Sequence, residues 1–272
     1  MSRYRFALRP KWIVSHIFIA FLVILMINLG FWQLRRLHEK RTHNKEVLAR
    51  SAQPLVPVRT LAKAGDPQSV VGPDEYRRVS AIGRYAADEE VLVRSRSWDS
   101  APGSWILTPL VLPDGSAVVV NRGWIPNGGV YSAVPKRYRA PEGVVRVTGL
   151  FRQTEKRGAF GPHDPPTGRL TNLARADVVR LGKQVPQHLV PGWIQLQTQR
   201  PSEGSGAARP LPFPTLDEGP HLSYAFQWFF FTSVALVGYP LILRRRAREV
   251  AIEELAEPDP DPDPEPDPSD PS

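Results

Sequence analysis

Hydrophobic and polar positions divide the chain into contrasting stretches. From Trp12 to Trp32 it reads WIVSHIFIAFLVILMINLGFW, 21 residues without Lys, Arg, Asp or Glu. At a helical rise of about 1.5 Å per residue, that run covers the roughly 30 Å hydrocarbon core of a bilayer. A second run, Leu222 to Leu243, has the same character, and the 188 residues from Gln33 to Pro220 are polar overall. The pattern predicts transmembrane helices over 12–32 and 221–243. Rich in helix formers, the stretch after Trp32 extends the first helix over 33–53, until Pro54 and Pro57 stop it.

Between the spans the period changes from helical to two. β-branched or alternating runs at 76–85, 91–95, 105–112, 117–121, 144–151 and 193–198, separated by Pro, Gly and Asp, predict strands. LPDGS, residues 112 to 116, reads as a hairpin turn centred on Asp-Gly, and leucines and valines at helical spacing predict one helix over 170–181. The expected class is an α+β membrane protein, two transmembrane helices flanking a mainly antiparallel β domain over 54–200, a small sheet or partly closed barrel with one or two helices. Residues 201–220 read as a linker, residues 1–11 as a basic N-terminus, and residues 244–272 as a basic then acidic, proline-rich tail that cannot pack.

Composition refines this picture. The formal charge is +8, but ten of the 27 acidic side chains fall in residues 249–272, which carry no basic one. The preceding 248 residues therefore hold all 35 basic side chains against 17 acidic ones. On a membrane-tethered domain such a balance suits anionic lipid head groups, acidic partners or acidic ligands, not nucleic acid. Cysteine is absent, which excludes disulfides and thiolate metal sites. Arg244, Arg245, Arg246 and Arg248 follow the second span, whereas Asp217 and Glu218 precede it. The positive-inside rule then places both termini in the cytoplasm and the central domain outside. Arg35, Arg36, Lys40, Arg41 and Lys45 lie on the unexpected side and call for a reason. The first span is longer than the apolar core of a signal peptide and ends without a small-x-small site, so it reads as an uncleaved anchor.

Enzyme signatures are scarce: no G-x-S-x-G, G-x-G-x-x-G, Walker loop or H-E-x-x-H occurs. Asp88, Glu89 and Glu90 read as solvated surface beside a turn, and His163 with Asp164 as a structural proline turn. Histidines at the spans differ, because ionisable groups there are costly and tend to mark function. His221, Tyr224, Ala225 and Trp228 follow i, i+3, i+4, i+7 and line one helical face. An imidazole above two aromatic surfaces suits a haem. Interfacial anchoring by the aromatic rings, with a hydrogen-bonding histidine, explains the same residues. His16 lies near the other end of the first span, so the two histidines cannot share one iron.

Three stretches resemble the surfeit locus protein 1 family, the membrane-anchored assembly factors of haem-copper oxidases. LGFWQLRRLHEK matches at Leu29, Gly30, Trp32, Gln33, Arg36 and Lys40. VNRGWIP, residues 120 to 126, is similar to the family's most recognisable internal motif. HLSYAFQWF matches at His221, Leu222, Tyr224, Ala225 and Trp228. The chain departs from the pattern at Gly219, Pro220, Gln227 and Glu39, none of which removes the histidine. The resemblance implies a non-enzymatic accessory of cytochrome c oxidase biogenesis in a bacterial plasma membrane. Its partners would be the oxidase's catalytic subunit, the haem a synthesis enzyme and membrane lipids.

In bacterial members of the family, haem a is bound through the histidine that matches His221, so His221 is the expected iron ligand, flanked by Tyr224 and Trp228. Arg36 or Arg35 would neutralise the haem propionates, although binding of lipid phosphate explains those arginines equally well. A scaffold that holds the nascent oxidase without touching haem is the alternative function. Asn121, Arg122, Gly123 and Trp124 read as a strand ending in a tight turn, with Gly123 permitting the backbone, Trp124 on the membrane-facing rim and Arg122 in a structural pair. Gly30, Trp32 and Gln33 are expected to be structural as well.

Overall fold

The computed structural model describes residues 4–61, 72–126, 131–204 and 206–256. They form two compact units, Met1–Thr42 with Asp217–Ser272, and His43–Leu216. Helix α1 spans Pro10–Ser51, the short α2 Val178–Gly182 and α3 His221–Ala256. Both α1 and α3 are long and apolar enough to cross a membrane, and the protein is a two-span membrane protein.

In the first unit, α1 and α3 pack as an antiparallel pair along a seam of heptad spacing. On α1, Trp12, His16, Ile19, Val23, Met26, Gly30, Gln33 and Leu37 are buried or half-buried. On α3 the same holds for His221, Ala225, Trp228, Thr232, Ala235 and Tyr239. Alternating steps of four and three keep one stripe facing the partner helix. Gly30 sets the closest approach: a Cβ there would come within 2.7 Å of the Phe229 ring.

Helix α3 does not stop at Leu243, where the sequence pattern places the start of a disordered tail. It continues to Ala256 because Arg245 and Arg246 meet Glu249 at 3.2 and 3.1 Å, one helical turn on, and Arg246 also lies 3.6 Å from Glu253. Such i, i+3 and i, i+4 pairs support an exposed helix. Residues 257–272, the proline-acid repeat, lie outside the described residues.

The second unit is an eight-stranded sheet: β1 Val56–Pro57, β2 Arg78–Tyr85, β3 Val91–Trp98, β4 Ala101–Val111, β5 Ala117–Pro126, β6 Val144–Arg152, β7 Asn172–Leu173 and β8 Leu189–Arg200. The order is β1-β2-β6-β8-β5-β4-β3-β7, and β2 also pairs with β4 through Arg84 with Val111 and Tyr85 with Leu110. This second contact closes β2, β6, β8, β5 and β4 into a ring. Pairing is antiparallel except for β1–β2, β3–β7 and β5–β8.

Alternation fills the ring. Val79, Ala81, Leu110, Val118, Val120, Val147, Phe151 and Ile194 form one buried cluster. Val119, on the other face of β5, joins Val91, Val93, Leu107, Leu173, Leu181 and Trp193 in a second cluster that includes α2 residues. Strand β5 is thus covered on both faces, which explains its unbroken apolar run. Leucine spacing over 170–181 predicts a helix, but the chain forms β7 first and turns helical only at Val178. Asp177 caps α2, its carboxylate accepting from the Arg180 N–H at 2.8 Å, and a cap marks where a helix begins.

Candidate functional site

His221 is the first residue of α3, set up by a short corner. Asp217 accepts a hydrogen bond from the Gly219 N–H at 2.9 Å, and Gly219 takes φ +70°, a conformation open to glycine. Pro220 follows, and its carbonyl accepts from the Tyr224 N–H at 3.1 Å and the Ser223 hydroxyl at 2.8 Å. On α1, Arg41 meets Glu218 at 2.9 Å, tying this corner to the neighbouring helix.

The imidazole of His221 is half-buried, with Nδ1 2.8 Å from Oε1 of Gln33. A carboxamide oxygen only accepts, so this contact requires a proton on Nδ1, and a neutral ring would then hold its lone pair on Nε2; the opposite carboxamide orientation would reverse the two. Nε2 has no hydrogen-bond partner among the described residues. A Cβ on Gly219 would lie 3.4 Å from Nε2 and from Cδ2, so the glycine leaves that edge of the ring uncovered.

The remaining sequence candidates arrange themselves around this end unevenly. Ala225 is buried within the helix pair, Trp228 is half-buried edge-on to Phe231, and Tyr224 is exposed. Neither Tyr224 nor Trp228 makes a ring contact with His221 among the described residues. Arg36 is exposed and paired with Glu39 at 2.7 Å, whereas Arg35 is exposed without an ion partner among the described residues. Trp32 is exposed, and Gln33 and Gly30 are buried in the seam.

His16, near the other end of the pair, is spent internally. Its Nε2 lies 3.1 Å from the Ala7 carbonyl, and its Nδ1 lies 2.7 Å from the Tyr239 hydroxyl, which also sits 3.0 Å from Ser15. Both ring nitrogens are thus engaged inside the protein. Along α3, Tyr239 is about 27 Å from His221 by the helical rise.

In the sheet unit, Arg122 of β5 is buried to 1%. Its guanidinium uses all its N–H groups: Nε and Nη2 hold Glu203 at 2.9 and 2.6 Å, Nη1 reaches Glu90 at 3.3 Å and the Tyr138 carbonyl at 2.9 Å, and Nη2 also reaches the Arg139 carbonyl at 3.1 Å. Arg139 lies 4.0 Å from Glu90, bringing a second cation near that carboxylate. Burial pushes the Glu90 carboxyl above its ordinary value against the pull of Arg122, and pushes up the Tyr85 phenol beneath the guanidinium. The expectation of a solvated Glu90 is therefore corrected: its side chain is 6% exposed. Adjacent acids give no hint of this, because the cation that draws one of them inward lies 32 residues on.

The neighbouring motif residues are also engaged within the fold, although Asn121 Nδ2 is buried without a hydrogen-bond partner among the described residues. Asn121 Oδ1 accepts from the Gly123 N–H at 3.1 Å. Gly123 has φ +134°, and a Cβ there would meet the Arg209 carbonyl oxygen at 2.4 Å. Trp124 is buried against Gly103 and donates Nε1–H to the Arg96 carbonyl at 2.9 Å. Asp164 accepts from the Ala174 N–H at 2.9 Å and pairs with Arg94 at 3.2 Å. A cleft of about 510 Å³ on the same unit is lined by Trp98, Trp105, Trp193, Phe213 and Arg152, and its cation is already paired with Glu75 at 3.3 Å.

Comparison with known proteins agrees along the chain. The SURF1 family model matches residues 20–233. An uncharacterised SURF1-like protein of Mycobacterium bovis is 30% identical over 258 residues, covering 92% of each chain. A SURF1-like protein of Rickettsia bellii is 23% identical over 225 residues, 81% of this chain and 87% of its own. Surfeit locus protein 1 of Xenopus tropicalis is 26% identical over 176 residues, 59% of this chain and 53% of its own.

Proposed function

The chain belongs to the SURF1 family, and from that membership we propose that it is an assembly factor of haem-copper oxidases that takes up haem a through His221. The carrying observation is the state of that imidazole: one nitrogen committed to Gln33 and the other bare beside a glycine. A neutral imidazole with a lone pair on Nε2 is the donor that haem iron takes. The porphyrin is cargo in this reading, received from the haem a synthesis enzyme and passed to the oxidase's catalytic subunit.

The surroundings fit the same ligand. Tyr224 and Trp228 supply aromatic surface on the face below His221, and Arg35 is open to a propionate. Arg36 would have to exchange Glu39 for the second propionate, or remain with it. Lipid phosphate competes for both arginines. The scaffold reading, in which the protein holds the nascent oxidase and never touches haem, draws on the buried network around Arg122, which holds the sheet domain rigid and uses all its own guanidinium donors.

One measurement separates the two. Full-length protein purified after coexpression with haem a synthesis should carry a Soret band. Protein lacking one at full haem a supply would favour the scaffold.

The proposed site lies at the outer face of a bacterial plasma membrane, with both termini cytoplasmic, because Arg244, Arg245 and Arg248 follow the second span. An export-dependent reporter should be active when fused at Asp114 and silent at the C-terminus; the reverse pattern would overturn this orientation.

A further inference from the structure

Gln33 is the hydrogen-bond partner of the His221 ring among the described residues, and Gly219 lies beside the ring's other edge. Gln33 is 9% exposed, its carboxamide oxygen lies 2.8 Å from Nδ1, and it stands on the opposite helix, 188 residues away in sequence. The chain thus places a hydrogen-bond acceptor against one chosen nitrogen of the ring, in a position largely shielded from water, where such a bond is strong.

We infer that Gln33 is a positioning residue that fixes the Nδ1–H tautomer of His221 and so makes Nε2 the donor atom of the site. This rests on the haem reading for the identity of the ligand, but not for the tautomer. The physical reasoning is short. A neutral imidazole has one proton, and the nitrogen that keeps it cannot bind a metal. Without an acceptor at Nδ1, the proton prefers Nε2, the outward-facing atom, and the site is blocked. Gln33 reverses that choice, fixes the ring plane and raises the basicity of Nε2, as an outer-shell partner does for a ligating histidine. The opposite carboxamide orientation, with its amino group toward Nδ1, would demand the wrong tautomer. A carboxylate at position 33 has no such second orientation, which makes Gln33→Glu the informative conservative variant.

The test uses the full chain in detergent, labelled with nitrogen-15 histidine, and identifies the His221 signals by their loss in His221→Ala. Without haem, the wild-type ring should read as Nδ1–H, Gln33→Glu should retain that state, and Gln33→Ala should move the proton to Nε2. After haem a loading, Gln33→Ala should bind roughly 10 to 100-fold more weakly, while the melting temperature of its haem-free form stays close to wild type. Gln33→Glu should restore occupancy and lower the iron midpoint potential, a signature that a merely structural side chain does not give. A wild-type ring protonated at Nε2, or a tautomer indifferent to Gln33→Ala, overturns the inference. A tautomer that follows Gln33 in a protein that never takes up haem a overturns the haem reading alone and leaves the assignment of Gln33 standing.

Discussion

Arg122 and His221 are both polar groups held by partners distant in sequence, yet one is saturated and the other is not. Arg122 makes five hydrogen bonds and is 1% exposed. His221 makes one through its ring, and its other nitrogen has no hydrogen-bond partner among the described residues. The difference teaches how to separate architecture from function inside one family motif set. A group whose capacity is fully used inside the protein holds the fold together, and a group with capacity left over is available to something else. His16 lies on the same helix pair as His221 but on the architectural side of this division.

Breaking the saturated network should have the largest effect on stability. Arg122→Ala leaves Glu90 and Glu203 buried without their cation, which costs about 3–5 kcal/mol; thermal unfolding of the detergent-solubilised protein should show a large loss, and an unchanged midpoint would show the network to be dispensable. His16→Ala removes two hydrogen bonds, about 1–2 kcal/mol together, with bound haem retained; loss of the haem spectrum in this variant would erase the distinction between the two ends. His221→Ala should cost less than about 1 kcal/mol, as truncations at partly exposed positions do, yet abolish the Soret band. Tyr224→Ala and Trp228→Ala should only weaken it.

The smallest effect is expected at the hairpin tip. Asp114 accepts from the Ser116 hydroxyl at 2.7 Å and pairs with Arg59 at 2.7 Å, which lowers its carboxyl to about 2. Its stabilisation is therefore present above the ordinary carboxylate range and is lost as pH falls toward 2. Because the side chain is largely solvated, Asp114→Asn should cost a few tenths of a kcal/mol, screened by salt. A loss above 1 kcal/mol at neutral pH would show that exposure misjudges this turn.

Much of this was legible because local pattern and global position agree. Both apolar runs lack charge, and strands such as β2 and the first half of β6 alternate buried with more exposed positions. Spacing groups His221, Tyr224, Ala225 and Trp228 together, and of these His221, Ala225 and Trp228 are buried or half-buried while Tyr224 is exposed. What the chain hides is pairing at a distance. Nothing near Gln33 announces an imidazole 188 positions away, and nothing near Arg122 points to Glu203, 81 positions on. The helix expected over 170–181 shows the opposite failure: its leucines are buried for sheet packing, and only the capping aspartate at 177 marked the true start.

The closed strand ring has a consequence for how the protein behaves among its neighbours. A sheet with long free edges invites another chain to add a strand, the route to aggregation. Here the end strands β1 and β7 are two residues each, offering little template for such growth. One open stretch among the described residues is the part of β3 beyond its pairing with Leu173, and it carries Arg94, Arg96 and a register break between Val93 and Arg96, where Ser95 takes φ +58°. Charge and a bulge together spoil that edge for strand addition. The domain is thereby guarded against strand-by-strand polymerisation with copies of itself.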